Sequence, residues 1–238
     1  MTDLTADQTL AELVNAIPGS ARVLASFGLD YCCGGRRSLD QACAELGTDP
    51  DVVLDALATV EPGPEPDWAS MDPVELTDHL EATHHAYLHT ELARLDALTG
   101  KVVGAHGARH PELGEVQATY GALRDDLEPH LMKEERVLFP MIHELAESAG
   151  ILSFHCGSLQ NPISQMMSEH DRAGALLTTL RAVTDGYRVP PDGCASYQAL
   201  YEGLAELEAD THLHVHKENN VLFPAVVALE QQRSGGRP

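Results

Sequence analysis

Basic residues are scarce. Lys and Arg number 15 against 37 Asp and Glu, a formal net charge of −22. A field of that sign repels phosphate backbones and anionic headgroups, so neither nucleic acid nor a membrane surface is expected as a partner. Aromatic residues make up only 5%, and alternating Val/Ile/Thr runs are few, which argues against a sheet protein. No window approaches the roughly 18 apolar residues that a membrane-spanning helix needs. The opening Met-Thr-Asp-Leu-Thr-Ala-Asp holds neither basic residues nor an apolar run. No secretory signal is expected from it, and the cytoplasm is the default location. The five cysteines (Cys32, Cys33, Cys43, Cys156 and Cys194) are an odd count that suits no disulfide framework.

What the chain does hold is Ala, Leu and histidine. Hydrophobic residues reach 43% of 238, enough for a core domain of about 150 residues plus a small one. The composition points to an all-α protein. Thirteen histidines are many for so acidic a chain, and imidazole is the commonest metal ligand. A break falls at Glu-Pro-Gly-Pro-Glu-Pro-Asp, residues 61–67, where three prolines cannot continue a helix. The expected division is a small helical domain over 1–60, a Pro-rich linker over 61–69 and a four-helix bundle over 70–238. In the bundle, helices are expected from Pro73 to about Leu98, from Pro111 or Glu112 to about Ser148, from Ile163 to Thr184 and from Ala195 to Leu229. Gly100, Gly104 and Gly107, with His106 and His110, read as the first connection, and 150–162 as a loop.

The bundle carries an internal repeat. His130-Leu-Met-Lys-Glu134-Glu-Arg-Val-Leu-Phe-Pro140 matches His214-Val-His-Lys-Glu218-Asn-Asn-Val-Leu-Phe-Pro224 at an offset of 84 residues. Residues four apart share a helix face. Leu123, Leu127, His130, Glu134 and Leu138 form one apolar-facing stripe; Leu204, Leu207, Thr211, His214, Glu218 and Leu222 form the other. Each copy sends an imidazole and a carboxylate into the core, where an unpaired ionised Glu costs several kcal/mol. Two such pairs facing each other are explained by metal between them. A duplicated hairpin should also give one ligand from each first helix. His170 precedes His214 by 44 residues and His85 precedes His130 by 45. His85 is preferred over His84, which aligns with Leu80 and Thr77 instead. His79, His89, His143, His155, His212 and His216 fall off the stripes and read as solvated surface. The two Val-Leu-Phe-Pro tails read as packing the bundle end before Pro140 and Pro224 bend the helices.

On these residues the chain resembles the hemerythrin-like domains. The segment Leu29-Asp-Tyr-Cys32-Cys33-Gly-Gly-Arg-Arg-Ser-Leu-Asp40 narrows the resemblance to the repair-of-iron-centres family, over about residues 8–230. The resemblance implies two non-haem irons with an oxo or hydroxo bridge. The implied ligands are His85, His130, His170 and His214, with Glu134 and Glu218 as bridging carboxylates. It implies repair of iron–sulfur proteins damaged by nitrosative or oxidative stress, with nitric oxide or dioxygen as small ligands; whether the chain forms a homodimer is left open by the sequence. The alternatives are a di-iron nitric oxide reductase or peroxidase, an oxygen or redox sensor, and an iron reservoir. Oxygen-carrying hemerythrins place another His four residues after the third-helix His; here that position is Gly174. His106 is the candidate replacement, as ligand or close neighbour, and Glu169 a candidate gate or hydrogen-bond partner. Without a replacement, an open coordination position favours reactivity over oxygen carriage.

Cys32 and Cys33 are candidate redox or transfer thiols. Gly34 and Gly35 permit a tight loop. Arg36, Arg37 and the helix start at Ser38 are expected to lower a thiol pKa. Adjacent cysteines are not expected to bind one metal together easily, which leaves thiol redox, nitrosyl handling or intermolecular metal ligation.

Overall fold

A computed structural model describes residues 4–60, 66–148 and 154–235. Residues 61–65 of the proline-rich segment and 149–153, which include the start of the predicted loop, lie outside that set. Among the described residues every regular element is helical, and no helix is long and apolar enough to cross a membrane.

Four short helices come first: α1 Leu10–Ala16, α2 Ser20–Ser26, α3 Leu39–Leu46 and α4 Pro50–Ala58. Such short helices depend on their ends. Thr9 with Glu12, and Ser38 with Gln41, close capping boxes, and Asp49 caps α4 with Pro50 behind it. Their inner faces bury Leu10, Leu13, Leu24, Leu39, Cys43, Val53 and Leu57. The loop between α2 and α3 carries the cysteine pair and is knitted to α1. Ala11 N donates to Gly35 O and Leu10 N to Arg37 O, both at 2.9 Å. Gly35 is required by close approach, since a Cβ there would lie 2.5 Å from Tyr31 O and 2.7 Å from Asn220 Oδ1.

The bundle follows as α5 Pro73–Leu80, α6 Ala86–His106, α7 Glu112–Lys133, α8 Phe139–Glu147, α9 Gln160–Val183, α10 Ala195–Lys217 and α11 Phe223–Gly235. Three five-residue π turns, Glu81–His85, Glu134–Leu138 and Glu218–Leu222, join α5 to α6, α7 to α8 and α10 to α11. Among the described residues there are thus four long rods, three of them interrupted by a π turn. α7 packs on α9 and α6, and α6 on α10. The first rod runs past its predicted end at Leu98. Leu95, Thr99, Val102 and His106 keep a buried stripe, so Gly100 and Gly104 stay helical on the outer side.

Two of the π turns have a local cause in the repeat. Pro140 and Pro224 each follow two residues behind one. In an α-helix a proline lacks its N–H and its ring meets the carbonyl four residues back; a widened turn relieves both. Phe139 N accordingly donates to Glu134 O, and Phe223 N to Glu218 O. No such proline follows Glu81–His85. Leu138, Phe139, Leu222 and Phe223 are buried as expected, while Val137 is exposed.

Two apolar clusters result. One joins the amino-terminal helices to the near end of the bundle, through Leu76, Leu80, Leu138, Phe139, Ile163, Leu222 and Phe223. The other fills the far end with Leu88, Leu92, Leu123, Leu127, Leu177, Leu204 and Leu207. The ligand-type residues lie between them in sequence on every rod, and form a polar layer across an apolar bundle.

Candidate metal centre

Each rod contributes to this layer through the turn that bends it or the stripe that faces it. His85 closes the first π turn; Glu134 and Glu218 open the other two. His130 and His214 stand one helical turn before those glutamates, and His170 lies midway along α9. Six side chains converge as two overlapping groups. His85, Glu134, His214 and Glu218 form one, and His130, Glu134, His170 and Glu218 the other; within each, the donor atoms lie within 4.8 Å of one another. Both carboxylates belong to both groups, the arrangement of a bridged metal pair. His130 Nε2 is 3.3 Å from Glu134 Oε2, His85 Nε2 3.6 Å from the same atom, His170 Nε2 3.1 Å from Glu218 Oε2 and His214 Nε2 3.3 Å from Glu218 Oε1.

The donor set fits metal ions on its unmet hydrogen bonding. Both glutamates are wholly buried. Among the described residues, all four of their carboxylate oxygens, with His85 Nε2 and His214 Nε2, have no hydrogen-bond partner. Buried polar atoms are rarely left in this state, and six of them gathered in two overlapping groups are what two cations would satisfy. The electrostatics agree. Burial and the neighbouring Glu218 carboxylate hold Glu134 well above the ordinary carboxylate range. Glu218 moves the other way: burial opposes ionisation, but His214 and His170 outweigh it. Burial pushes His85 and His130 down to about 4, helped by His214 and His170 respectively. Neutral imidazoles keep a free lone pair for metal.

The far nitrogens are held in place, as ligand histidines require. His85 Nδ1 donates to Glu135 Oε1 at 3.0 Å, His130 Nδ1 to Glu169 Oε2 at 2.9 Å and His170 Nδ1 to Asn219 Oδ1 at 2.9 Å. Glu169 also accepts from Lys133 and Gln165. Burial works against its charge, yet these bonds and that from His130 draw it down to about 2. Phe139 lies over His85 and Phe223 over His170, with ring centres 5.4 and 6.1 Å apart. The Leu-Phe-Pro tails therefore wall the layer at the point where the rods bend. Glu135 and Asn219 were not singled out in the sequence, although a signal was there: both directly follow the repeated Glu.

Other candidates fall elsewhere. His84 is not in the donor layer; its Nδ1 is 2.8 Å from Asp210 Oδ1, its Nε2 meets Lys217 Nζ at 2.9 Å, and its ring stacks on His214. His106 does not replace the ligand expected opposite Gly174. It sits at the far end of α6, with Nε2 3.2 Å from Cys194 Sγ. Gly174 itself lines a cavity of about 560 Å³ between the bundle and the cysteine loop, with Cys32, Cys33, Asp171, Arg181, Glu208 and His212. His216 is not solvated but fully buried. Its Nδ1 donates to Tyr31 O at 3.0 Å, and its Nε2 lies 2.9 Å from the Asn15 amide. The docked amino-terminal helices cover it. His143 meets Thr77 Oγ1 at 2.8 Å and His79 meets Lys217 Nζ at 3.0 Å, so neither is merely solvated. His212 is half-buried, while His89 and His155 are exposed as expected.

The cysteine loop also departs from expectation. Cys32 is buried and Cys33 exposed. The Cys32 thiol pKa is raised, by the hydrogen bond to Cys33, by burial and by the charges of Cys33 and Asp30. Arg37 is turned to Asp30 and Glu45 instead of the sulfurs.

Comparison with known proteins agrees with this construction. The family model described as the Hemerythrin HHE cation binding domain matches residues 76–226. A second, described as a domain of unknown function (DUF542), matches residues 6–61. The iron–sulfur cluster repair protein YtfE of Escherichia coli O1:K1 is 37% identical over 226 residues, covering 94% of this chain and 98% of that protein. Its namesake in Escherichia fergusonii gives the same figures, and that of Escherichia coli O81 is 36% identical over the same span. With the donor layer, the cysteine loop and these matches together, the chain belongs to the hemerythrin-domain family of iron–sulfur cluster repair proteins.

Proposed function

We propose that this chain repairs iron–sulfur clusters damaged by nitrosative or oxidative stress, working in the cytoplasm through a carboxylate-bridged pair of non-haem irons. The observation that carries the reading is the pair of four-donor groups sharing Glu134 and Glu218, with every carboxylate oxygen free of a hydrogen bond. His85 and His214 would serve one ion and His130 and His170 the other, with an oxo or hydroxo group as a third bridge. A pair so held supplies redox and Lewis-acid chemistry, and iron itself, beside an interior gap lined by Thr211, Ala173 and Glu169.

The chain's own residues do the rest. Glu135, Glu169 and Asn219 hold the Nδ1 protons of His85, His130 and His170, which fixes the tautomer and aims each Nε2 inward. The leucine layers and the two phenylalanines keep bulk water out. The Glu169–Lys133 pair marks the wetter edge, because Lys133 is half exposed. The division at residues 61–69 belongs to the same proposal, supported by family matches on either side of it.

Damaged iron–sulfur proteins are the proposed clients, and nitric oxide or dioxygen the small ligands. The test is restoration of an iron–sulfur hydratase inactivated by nitric oxide, under anaerobic conditions. Iron-loaded protein should restore activity and metal-free protein should not. Equal restoration by both forms contradicts the reading.

A further inference from the structure

The geometry points to a second metal site, at Asp30, Cys32 and Cys33, that takes one thiophilic divalent cation such as zinc or ferrous iron. It is separate from the buried His/Glu layer and stands whether or not the repair reading holds.

Adjacent cysteines usually splay apart. Here the loop turns both sulfurs to the same side, with Sγ atoms 4.0 Å apart. Two thiolates bound at about 2.3 Å to one tetrahedral ion lie about 3.8 Å from each other, so the pair needs little movement to chelate. Far closer approach would be needed for a disulfide, which between neighbours is strained. The third donor is already placed. Asp30 Oδ1 accepts from Cys32 N at 3.2 Å and Cys33 N at 3.0 Å, and lies 3.2 Å from Cys32 Sγ. Both sulfurs and a carboxylate oxygen fall within 4.8 Å of one another, the only such grouping among the described residues outside the donor layer.

The backbone holds this shape from several sides. Asn220 Nδ2, on the bundle, donates to Cys32 O at 3.0 Å, and Gly35 leaves no room for a side chain against Tyr31. Arg37, 3.8 Å from Asp30 Oδ2, balances part of the negative charge that a bound dithiolate and carboxylate would carry. The mouth of the site opens on the cavity lined by Glu208 and His212, with room for water or a further ligand as the fourth donor. The hydrogen bond to Cys33, burial and the Asp30 charge all work against a charge on Cys32 alone. A cation removes that objection. Binding is then M²⁺ + 2 RSH → M(SR)₂ + 2 H⁺, with no change of oxidation state.

Cobalt(II) is the probe. The whole iron-loaded chain, with thiols reduced and oxygen excluded, is titrated while thiolate-to-cobalt charge-transfer absorption is followed. One equivalent should bind with that absorption, release protons and be displaced by zinc. Cys32→Ser/Cys33→Ser should abolish the signal, with circular dichroism reporting the fold. Cys194→Ser, which changes the exposed cysteine far from the loop, should keep it. Asp30→Asn retains an oxygen for the loop's N–H groups and should weaken binding by roughly tenfold or more. No absorption with free thiols, or absorption that survives the double substitution, overturns the site. Unchanged affinity in Asp30→Asn removes the aspartate from it. The iron content of the histidine–glutamate layer is read separately, so failure here and failure of the repair reading are told apart.

Discussion

The two copies of the repeated hairpin present the same first line of residues and a different second one. His130 and Glu134 correspond to His214 and Glu218, and Phe139 to Phe223. Behind them the copies part. Glu135 backs His85 with a carboxylate, whereas Asn219 backs His170 with a neutral amide. Lys133 reaches a half-exposed ion pair with Glu169, whereas Lys217 is buried, close to His79, His84 and the Trp68 ring. The two copies keep the same residues in the donor layer and differ in the supports behind them. Ligand strength follows the supports, so two ions in nearly identical donor sets are expected to differ in affinity.

The largest effect should come from the shared carboxylates. Glu134→Ala or Glu218→Ala removes a bridge from both groups at once, so iron per chain should fall from about two to well below one. Loss of a single ion, measured by metal analysis, would show that the carboxylate serves one ion only. Metal-free protein should respond in the opposite direction. Glu134→Gln relieves a buried carboxylate pair, and we expect about 1–3 kcal/mol of added stability in denaturant titration.

Next is the contrast between neighbouring histidines. His85→Ala should cost at least one ion. His84→Ala should retain iron but remove the contacts of His84 with Asp210 and Lys217, lowering stability by about 1–3 kcal/mol. Equal iron loss in both would make His84 a ligand.

Acid should weaken the metal-free bundle through the same residues. His85 and His130 titrate near 4 in the fold, against about 6.5 unfolded. A depressed folded value contributes stability that is present above about pH 6.5 and lost as the pH falls towards 4. Glu134, raised, has the opposite sign, so its contribution fades as pH climbs through its folded value. Thermal melting of the metal-free His85→Ala variant should show a shallower loss across that window.

The smallest effect tests the asymmetry itself. Glu135→Gln should weaken the ion on His85, and Asn219→Asp should tighten the ion on His170, each by roughly tenfold. Competition with a chelator that resolves two affinities measures both. If neither substitution moves either affinity, the supports do not set the difference.

Much of this site was readable in the sequence, because i,i+4 spacing is a local rule and the repeat stated it twice. The all-α fold followed from composition and periodicity for the same reason. What escaped depended on the third dimension. His216 falls off the helical stripe, and it is buried by partners distant in sequence, Asn15 and Tyr31 of the amino-terminal region and the Trp68 ring. His106 looked like a loop residue beside glycines, yet Leu95, Thr99 and Val102 carry the helix through to it. Cys32 looked activated by two arginines, but a loop's charge order is not its spatial order: Asp30 Oδ1 lies 3.2 Å from the sulfur, and Arg37 is turned to Asp30 and Glu45. The π turns had a cue in Pro140 and Pro224, although a proline signals a distortion without naming it.

The central claim is that two irons share Glu134 and Glu218, and the most direct test is Mössbauer spectroscopy of the anaerobically loaded, then oxidised, chain alongside its iron content. The account predicts about two ferric ions per chain, antiferromagnetically coupled into a diamagnetic pair through shared bridges. About one iron per chain, or two that remain magnetically independent, would contradict it.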